Sequence, residues 1–295
     1  MEKSRLNLID EYTVMNRPLI LDGAMGALIH ERKNTFDKNL WSSLTNITDP
    51  FLVESLHVKY INAGAQIITT NTFRTNPVAY NKSNLNITLE DFVRSSVGIA
   101  LRARGSNRVI IAGSNAPAED CYQKQRLISE KDLINNHHYH ITYLWESGVD
   151  IIWNETQSHW DEIEIICKFC SENSIPYAMN LYFDDDLKLL SGEPLQAVIE
   201  NIKEFSPEVI GFNCIHNKLL EDYINKYSLP NNWGFYFNCG SEPIGEGIIH
   251  CAISPASFSA KIRSFLNYKP IFIGSCCGSN PEHTTAIKDL MNEVY

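Results

Sequence analysis

Short apolar runs alternate along the chain with longer segments in which apolar residues recur every three or four positions. Eight of the short runs read as strands, at residues 19–22, 66–70, 109–113, 151–154, 177–181, 209–212, 233–237 and 271–274. They are apolar at nearly every position instead of at alternate ones, the pattern of a strand covered on both faces in a parallel sheet. Helical periodicity marks residues 51–63, 89–104, 130–147, 160–172, 195–205, 219–226 and 256–266, and a last helix runs from Pro281 to the C-terminus. Eight strand–helix alternations predict the α/β class and a (β/α)8 TIM barrel. No low-complexity linker or internal repeat divides the chain, so residues 1–295 are expected to form a single domain. Two connections are longer than tight turns, residues 30–50 and 114–129, and in a barrel both lie on the C-terminal rim, where sites are built.

Composition narrows the function classes. With 44% hydrophobic residues and 11% aromatic, the chain can fill a core without disulfides. Twenty-five basic residues against 35 acidic give a formal charge of -10, with no basic stripe, so no nucleic-acid partner is expected. An acidic balance favours the approach of cationic small molecules. Met1–Arg17 lacks a signal-peptide core and no apolar run is long enough to span a bilayer, so no membrane partner is expected. Eight cysteines in a chain this long do not make a small secreted scaffold, and the expected compartment is the cytoplasm, where thiols stay reduced. The triplets beginning at Asn46, Asn81 and Asn86 then carry no glycosylation meaning. Nothing in the pattern sets an oligomeric state.

The strongest chemical feature is a pair of cysteine motifs. Gly211-Phe212-Asn213-Cys214 ends the sixth strand, and Gly274-Ser275-Cys276-Cys277-Gly278 ends the eighth. Both fall on the same rim, so three thiols can converge. Zinc takes thiolates tetrahedrally, and three protein ligands leave one position open. Successive strand residues point to opposite faces, so Cys276 and Cys277 can share an ion only where the chain leaves strand geometry. Gly274 and Gly278 permit that turn. A vicinal disulfide, or two cysteines that merely pack, accounts for the spacing as well.

Other candidates read more simply. His137, His138 and His140 lie within a helix, where near neighbours point apart, and are expected on a surface helix. Cys167 and Cys170 share a helical face with Ile163 and Ile166, so core packing is expected in preference to a redox pair. His216 is expected at a helix start, and Asp184-Asp185-Asp186 in a solvated loop. The Asp22–Gly26 run lacks the spacing and the lysine of a phosphate loop. Cys121, Cys239 and Cys251 have no evident partner in the pattern.

The two cysteine motifs, extended to Gly274-Ser275-Cys276-Cys277-Gly278-Ser279-Asn280-Pro281-Glu282-His283, resemble the zinc signatures of the homocysteine S-methyltransferase family. Similar in the same way are Leu21-Asp22-Gly23-Ala24-Met25-Gly26, Gly64-Ala65-Gln66-Ile67-Ile68-Thr69-Thr70-Asn71-Thr72-Phe73, Glu155, and Tyr236-Phe237-Asn238-Cys239-Gly240, in order over about residues 19–290. The resemblance implies a barrel enzyme that moves a methyl group from a donor to the thiol of homocysteine, giving methionine, and so a place in methionine biosynthesis. It implies that Cys214, Cys276 and Cys277 hold Zn2+ and act catalytically through it. Asp22 and Glu155 would bind the substrate ammonium, backbone N–H groups of Gly23–Gly26 its carboxylate, and Asn213 and Asn238 would line the pocket. S-methylmethionine or S-adenosylmethionine is the expected donor, its sulfonium received by aromatic faces such as Phe73 or Tyr182. The chain departs from the family pattern at Asn180-Leu181, at Gly113-Ser114-Asn115-Ala116-Pro117, at Ser275 and at Arg74, where betaine-using members carry a tyrosine. These departures border the substrate pockets and leave betaine, a methylfolate, or another thiol or selenol as alternatives. A zinc hydrolase and a non-catalytic zinc-binding barrel are the more distant ones.

Overall fold

Eight parallel strands close into a barrel in the computed structural model, which describes residues 5–33, 37–240 and 252–295. They are β1 (Leu19–Ile20), β2 (Ile67–Thr69), β3 (Ile110–Asn115), β4 (Ile151–Gln157), β5 (Tyr177–Leu181), β6 (Val209–Asn213), β7 (Trp233–Phe237) and β8 (Phe272–Ser275). Each pairs with its neighbour in sequence from β2 to β8, and β8 pairs with β1. A bridge between Leu21 and Ile67 closes the ring, with Gln66 N–H donating to the Ile20 carbonyl at 2.7 Å.

Every expected strand and helix is present, which follows from the strength of the apolar periodicity. Helices Leu8–Met15, Gly26–Lys33 and Pro77–Asn81 were not expected. In the first of these only Leu8 and Glu11 are buried, too thin a stripe to register as periodic. Its start is set by Asn7, whose side chain accepts the N–H groups of Ile9 and Asp10. Strand ends also differ. β3, β4, β6 and β8 run past their apolar cores into polar residues, ending at Asn115, Gln157, Asn213 and Ser275.

Alternation along the strands sorts side chains to two sides of the barrel wall. Leu19, Leu21, Ile67, Ile110, Ala112, Ile151, Trp153, Ala178, Val209, Tyr236 and Phe272 fill the interior. Ile20, Ile68, Ile111, Ile152, Met179, Ile210, Phe212, Phe235 and Ile273 face outward, against the helices. The wide Phe272 ring needs space opposite, and a Cβ on Gly234 would stand 2.3 Å from it. Continuing the interior register upward brings Thr69, Ser114, Glu155, Asn213 and Cys276 to one polar layer at the C-terminal rim.

The helix Glu130–Glu146 corrects the surface reading of its histidines. His137 and His140 are fully buried, and His138 alone of the three stacks at the surface, on Phe169 with ring centroids 4.1 Å apart. Asn115 Nδ2 donates to Asn154 Oδ1 at 2.7 Å and lies 3.1 Å from His137 Nδ1, which is therefore an acceptor. The His137 proton sits on Nε2, 2.6 Å from Glu162 Oε1. Glu162 also accepts the Ala118 N–H at 2.7 Å and the Arg126 guanidinium at 3.1 Å. Burial alone would raise this carboxyl, but the His137 bond, with Ala118 and Arg126, brings it below its ordinary value. The result ties both ends of the loop after β3 to the helix Trp160–Glu172. Cys167 and Cys170 are packed in the core, and His216 caps the helix Asn217–Lys226. Cys251 lies outside the described residues.

Candidate active site

Three sulfurs meet on the rim. Cys214 follows β6 with φ of 54°, a left-handed conformation that takes it off the strand, and its N–H donates to the Tyr236 carbonyl at 3.1 Å. Cys276 and Cys277 follow directly after β8. Cys276 N–H donates to the Phe237 carbonyl at 2.7 Å, and the Cys277 carbonyl accepts from Cys239 N–H at 2.8 Å. Gly278 then turns the chain with φ of 79°, and a Cβ there would stand 2.7 Å from Gly240 N. Two strand-end bonds and one glycine turn thus bring adjacent cysteines to the same point.

The Cys277 sulfur lies 3.8 Å from that of Cys214 and 3.9 Å from that of Cys276. Cys214 and Cys276 are joined as a disulfide, so the pairing runs between strands and is not vicinal. Among the described residues these three form the one group of three or more histidine, cysteine or acidic side chains close enough to share an ion, with ligand atoms within 4.8 Å. Reduced, the three cysteines offer soft sulfur donors with no fourth such ligand among the described residues, a set that suits zinc or another thiophilic ion with an open position. Burial, with Glu155 adding, pushes the Cys277 thiol up to about 11, so without a metal it holds its proton at neutral pH.

Two carboxylates, Asp22 buried and Glu155 half-buried, face the same space. Asp22, just after β1, accepts Thr69 N–H at 2.9 Å and the Thr69 hydroxyl at 3.1 Å. Burial, with a contribution from Glu155, raises its carboxyl well above the usual range. Glu155 lies in β4, takes the Ser114 hydroxyl in a short hydrogen bond and the Tyr236 hydroxyl at 3.3 Å. Burial pushes it up to about 7 although both bonds oppose the rise. No arginine, lysine or histidine pairs with either among the described residues. The Glu155 charge thus adds to the burial that raises Asp22, so a cation placed between them would favour both ionised forms.

Asn213 acts on the strand that bears Glu155. Its Oδ1 accepts Thr156 N–H and its Nδ2 donates to Thr156 Oγ1, both at 2.9 Å. Thr156 has φ of 58°, and the β4–β5 register shifts between Asn154 and Gln157. The amide clamps that irregularity and so fixes the aim of Glu155. Asn238 Oδ1 accepts Gly240 N–H at 2.8 Å, while its buried Nδ2 has no hydrogen-bond partner among the described residues. Gly23 leaves no space for a side chain, since a Cβ would stand 2.5 Å from Ser279 Oγ, and that hydroxyl accepts Ala24 N–H at 3.0 Å.

Of the expected aromatic faces, Phe73 packs edge-on to Trp41 with centroids 5.7 Å apart and has the Arg74 guanidinium 5.2 Å from its centroid. Tyr182 meets Tyr122 in an edge-to-face pair at 5.0 Å. Sequence reasoning missed Tyr122, Thr69, Ser114 and Thr156. Strict alternation leads inward from Ile110 and Ala112 to Ser114 and from Ile67 to Thr69, a signal that was present; nothing local distinguishes the other two.

A sequence profile described as homocysteine S-methyltransferase matches residues 19–291. The chain is 26% identical to a homocysteine S-methyltransferase of Bacillus subtilis, over 95% of each chain. It is 22% identical to a selenocysteine Se-methyltransferase of Brassica oleracea, over 91% of this chain and 87% of that one. Among solved structures, the metallated form of the homocysteine methyltransferase MmuM of Escherichia coli superposes with a TM-score of 0.81 at 21% identity, covering 96% of this chain and 99% of the other.

Proposed function

The chain belongs to the homocysteine S-methyltransferase family, and from that premise we propose that it transfers a methyl group from S-methylmethionine or S-adenosylmethionine to homocysteine, giving methionine. The observation that carries the reading is the meeting of three cysteine sulfurs with two carboxylates, Asp22 buried and Glu155 half-buried, that have no cationic partner among the described residues. Cys214, Cys276 and Cys277 would hold zinc. Zinc bound there would keep the acceptor thiol ionised at neutral pH, against about 3% ionised for a free thiol of pKa near 8.5.

Asp22 and Glu155 receive the amino group of the acceptor, whose positive charge offsets the cost of ionising both carboxyls in a buried site. The Gly23–Gly26 turn offers backbone N–H groups to the acceptor carboxylate, and the unpartnered Asn238 Nδ2 supplies one more donor beside the thiols. Anchoring both ends of the amino acid leaves its sulfur little freedom. Transfer breaks the donor S–CH3 bond, leaves that electron pair on a neutral thioether, and forms the new C–S bond at the acceptor. Ionising the thiol accounts for at most about 2 kcal/mol of the barrier, whereas alignment of sulfur, methyl and leaving sulfur is worth about 7–11 kcal/mol. Positioning therefore dominates. The Tyr122–Tyr182 pair suits the sulfonium better than Phe73, whose ring already has a guanidinium near its face.

Likeness to a selenocysteine Se-methyltransferase supports a selenol acceptor as the second reading, since the same thiol cluster and carboxylate pair serve either chalcogen. Reduced cysteines are what the chemistry requires, which supports the cytoplasm; no described helix is long and apolar enough to cross a membrane. The profile match across residues 19–291 supports one catalytic domain. The test pairs homocysteine and selenocysteine with S-methylmethionine, S-adenosylmethionine and betaine under reducing conditions. Methionine formed fastest with a sulfonium donor is expected; turnover with betaine alone would replace the donor, and no turnover with any pair would overturn the reading.

A further inference from the structure

Of the four half-buried arginines among the described residues, Arg104 and Arg126 hold carboxylates, while Arg17 meets the Asn292 amide and Arg74 stands apart from any acid. Arg104 pairs with Asp150 at 2.9 Å and Arg126 with Glu162 at 3.1 Å, with side chains only 13% and 11% exposed. Arg74, also half-buried, meets neutral groups instead. Its Nη1 donates to the Glu119 carbonyl at 2.8 Å and to the Pro117 carbonyl at 3.4 Å, and its guanidinium carbon lies 5.2 Å from the Phe73 centroid. The nearest acid in sequence along this contact turns away. Glu119 spends its carboxylate on Leu127 N–H at 2.8 Å, Ile128 N–H at 3.2 Å and Gln123 Nε2 at 3.1 Å. Among the described residues no carboxylate comes within ion-pair distance of Arg74. Its guanidinium is held at one nitrogen and keeps the rest of its donor fork.

The placement is specific. On one side Arg74 is linked through Phe73 and Trp41 to Gly26, where a Cβ would stand 2.6 Å from the Trp41 ring, and so to the acceptor turn. On the other side it braces Pro117 and Glu119, in the loop that carries Cys121 and Tyr122. Cys121, in that loop, lies near enough to both to feel the Arg74 charge and that of Cys277. Tyr122, in the same loop, makes the edge-to-face pair with Tyr182. A positive charge on the loop that carries the aromatic pair opposes the approach of a bare cation and favours one that brings its own anion.

Resting on the sulfonium reading above, we propose that Arg74 is a specificity-determining residue that binds the carboxylate of the methyl donor while the aromatic pair receives its sulfonium. The donor class is then an onium compound with a free carboxylate a few carbons from the onium centre.

Binding of S-methylmethionine and of its methyl ester, measured by calorimetry on the zinc-loaded protein without homocysteine, tests this. The wild type is expected to prefer the free carboxylate by about 10- to 100-fold, the range of a charge-assisted hydrogen bond. Arg74→Gln is expected to erase the preference, and Arg74→Lys to recover part of it. A wild type that binds both equally, or an Arg74→Gln protein that keeps the preference, overturns the proposal and leaves the methyl-transfer reading standing. Arg74→Gln that weakens homocysteine binding instead assigns the residue to the acceptor and also overturns it. Failure of the wild type both to bind any sulfonium and to turn one over overturns the proposal and the reading together.

Discussion

At the scale of single residues, Glu155 holds a conflict between stability and function. Its carboxyl is raised from 4.5 to about 7 by burial, so the folded protein binds its proton more tightly than the unfolded chain does. The stability this contributes is fully present below pH 4.5 and is lost as pH rises through 7, a swing of about 3 kcal/mol. Glu155→Gln should therefore stabilise the apoprotein at pH 8 by up to about 3 kcal/mol, and by little at pH 4.5, in urea unfolding followed across that range. The same variant should weaken homocysteine binding by at least 10-fold, read by calorimetry. A gain independent of pH would show that the buried charge is not the cause. Asp22, Glu155 and the three cysteines were visible in the sequence because each sits at a strand end in a recognisable motif. Their partners were not. Thr69, Thr156 and Tyr236 acquire roles only when the barrel closes and brings strands far apart in sequence into register.

Among the elements, two devices hold the rim in shape, and each predicts a loss. Glu162 buries a carboxylate against His137, Arg126 and Ala118 N–H, tying the loop after β3 to its neighbouring helices. Glu162→Ala leaves the buried Arg126 charge without its inner partner and should cost about 3–5 kcal/mol in urea unfolding. The second device is the turn after β8. Gly278→Ala should lower zinc content in elemental analysis while the far-ultraviolet circular dichroism stays that of a barrel, because the added methyl meets Gly240 and shifts the thiols while leaving the strands untouched. Strand positions were legible from apolar runs, but strand ends were not, since the ends are where apolar residues give way to the polar layer. Histidines at 137 and 140 were misread for a related reason. Helical spacing separates residues onto different faces, but it does not reveal that a neighbouring loop and helix cover a polar face with matched acceptors.

For the molecule as a whole, the proposed function makes three demands on one rim: thiols to hold a metal, carboxylates to take an ammonium and an aromatic edge to take a sulfonium. The thiols serve only when reduced, because a cysteine in a disulfide has no thiolate to offer. Oxidised protein, in which Cys214 and Cys276 are joined, should take up no zinc, and a reductant should restore uptake, followed with a colorimetric zinc chelator. The eight-fold alternation that sets this architecture was readable along the chain, while the aromatic pair proposed to receive the donor depends on loops whose packing no local pattern encodes. The most direct test of the central claim measures zinc content and methionine formation on the same reduced samples of wild type and Cys276→Ala. Loss of both together is the predicted result. Methyl transfer to homocysteine at the wild-type rate from a Cys276→Ala protein without zinc would contradict it.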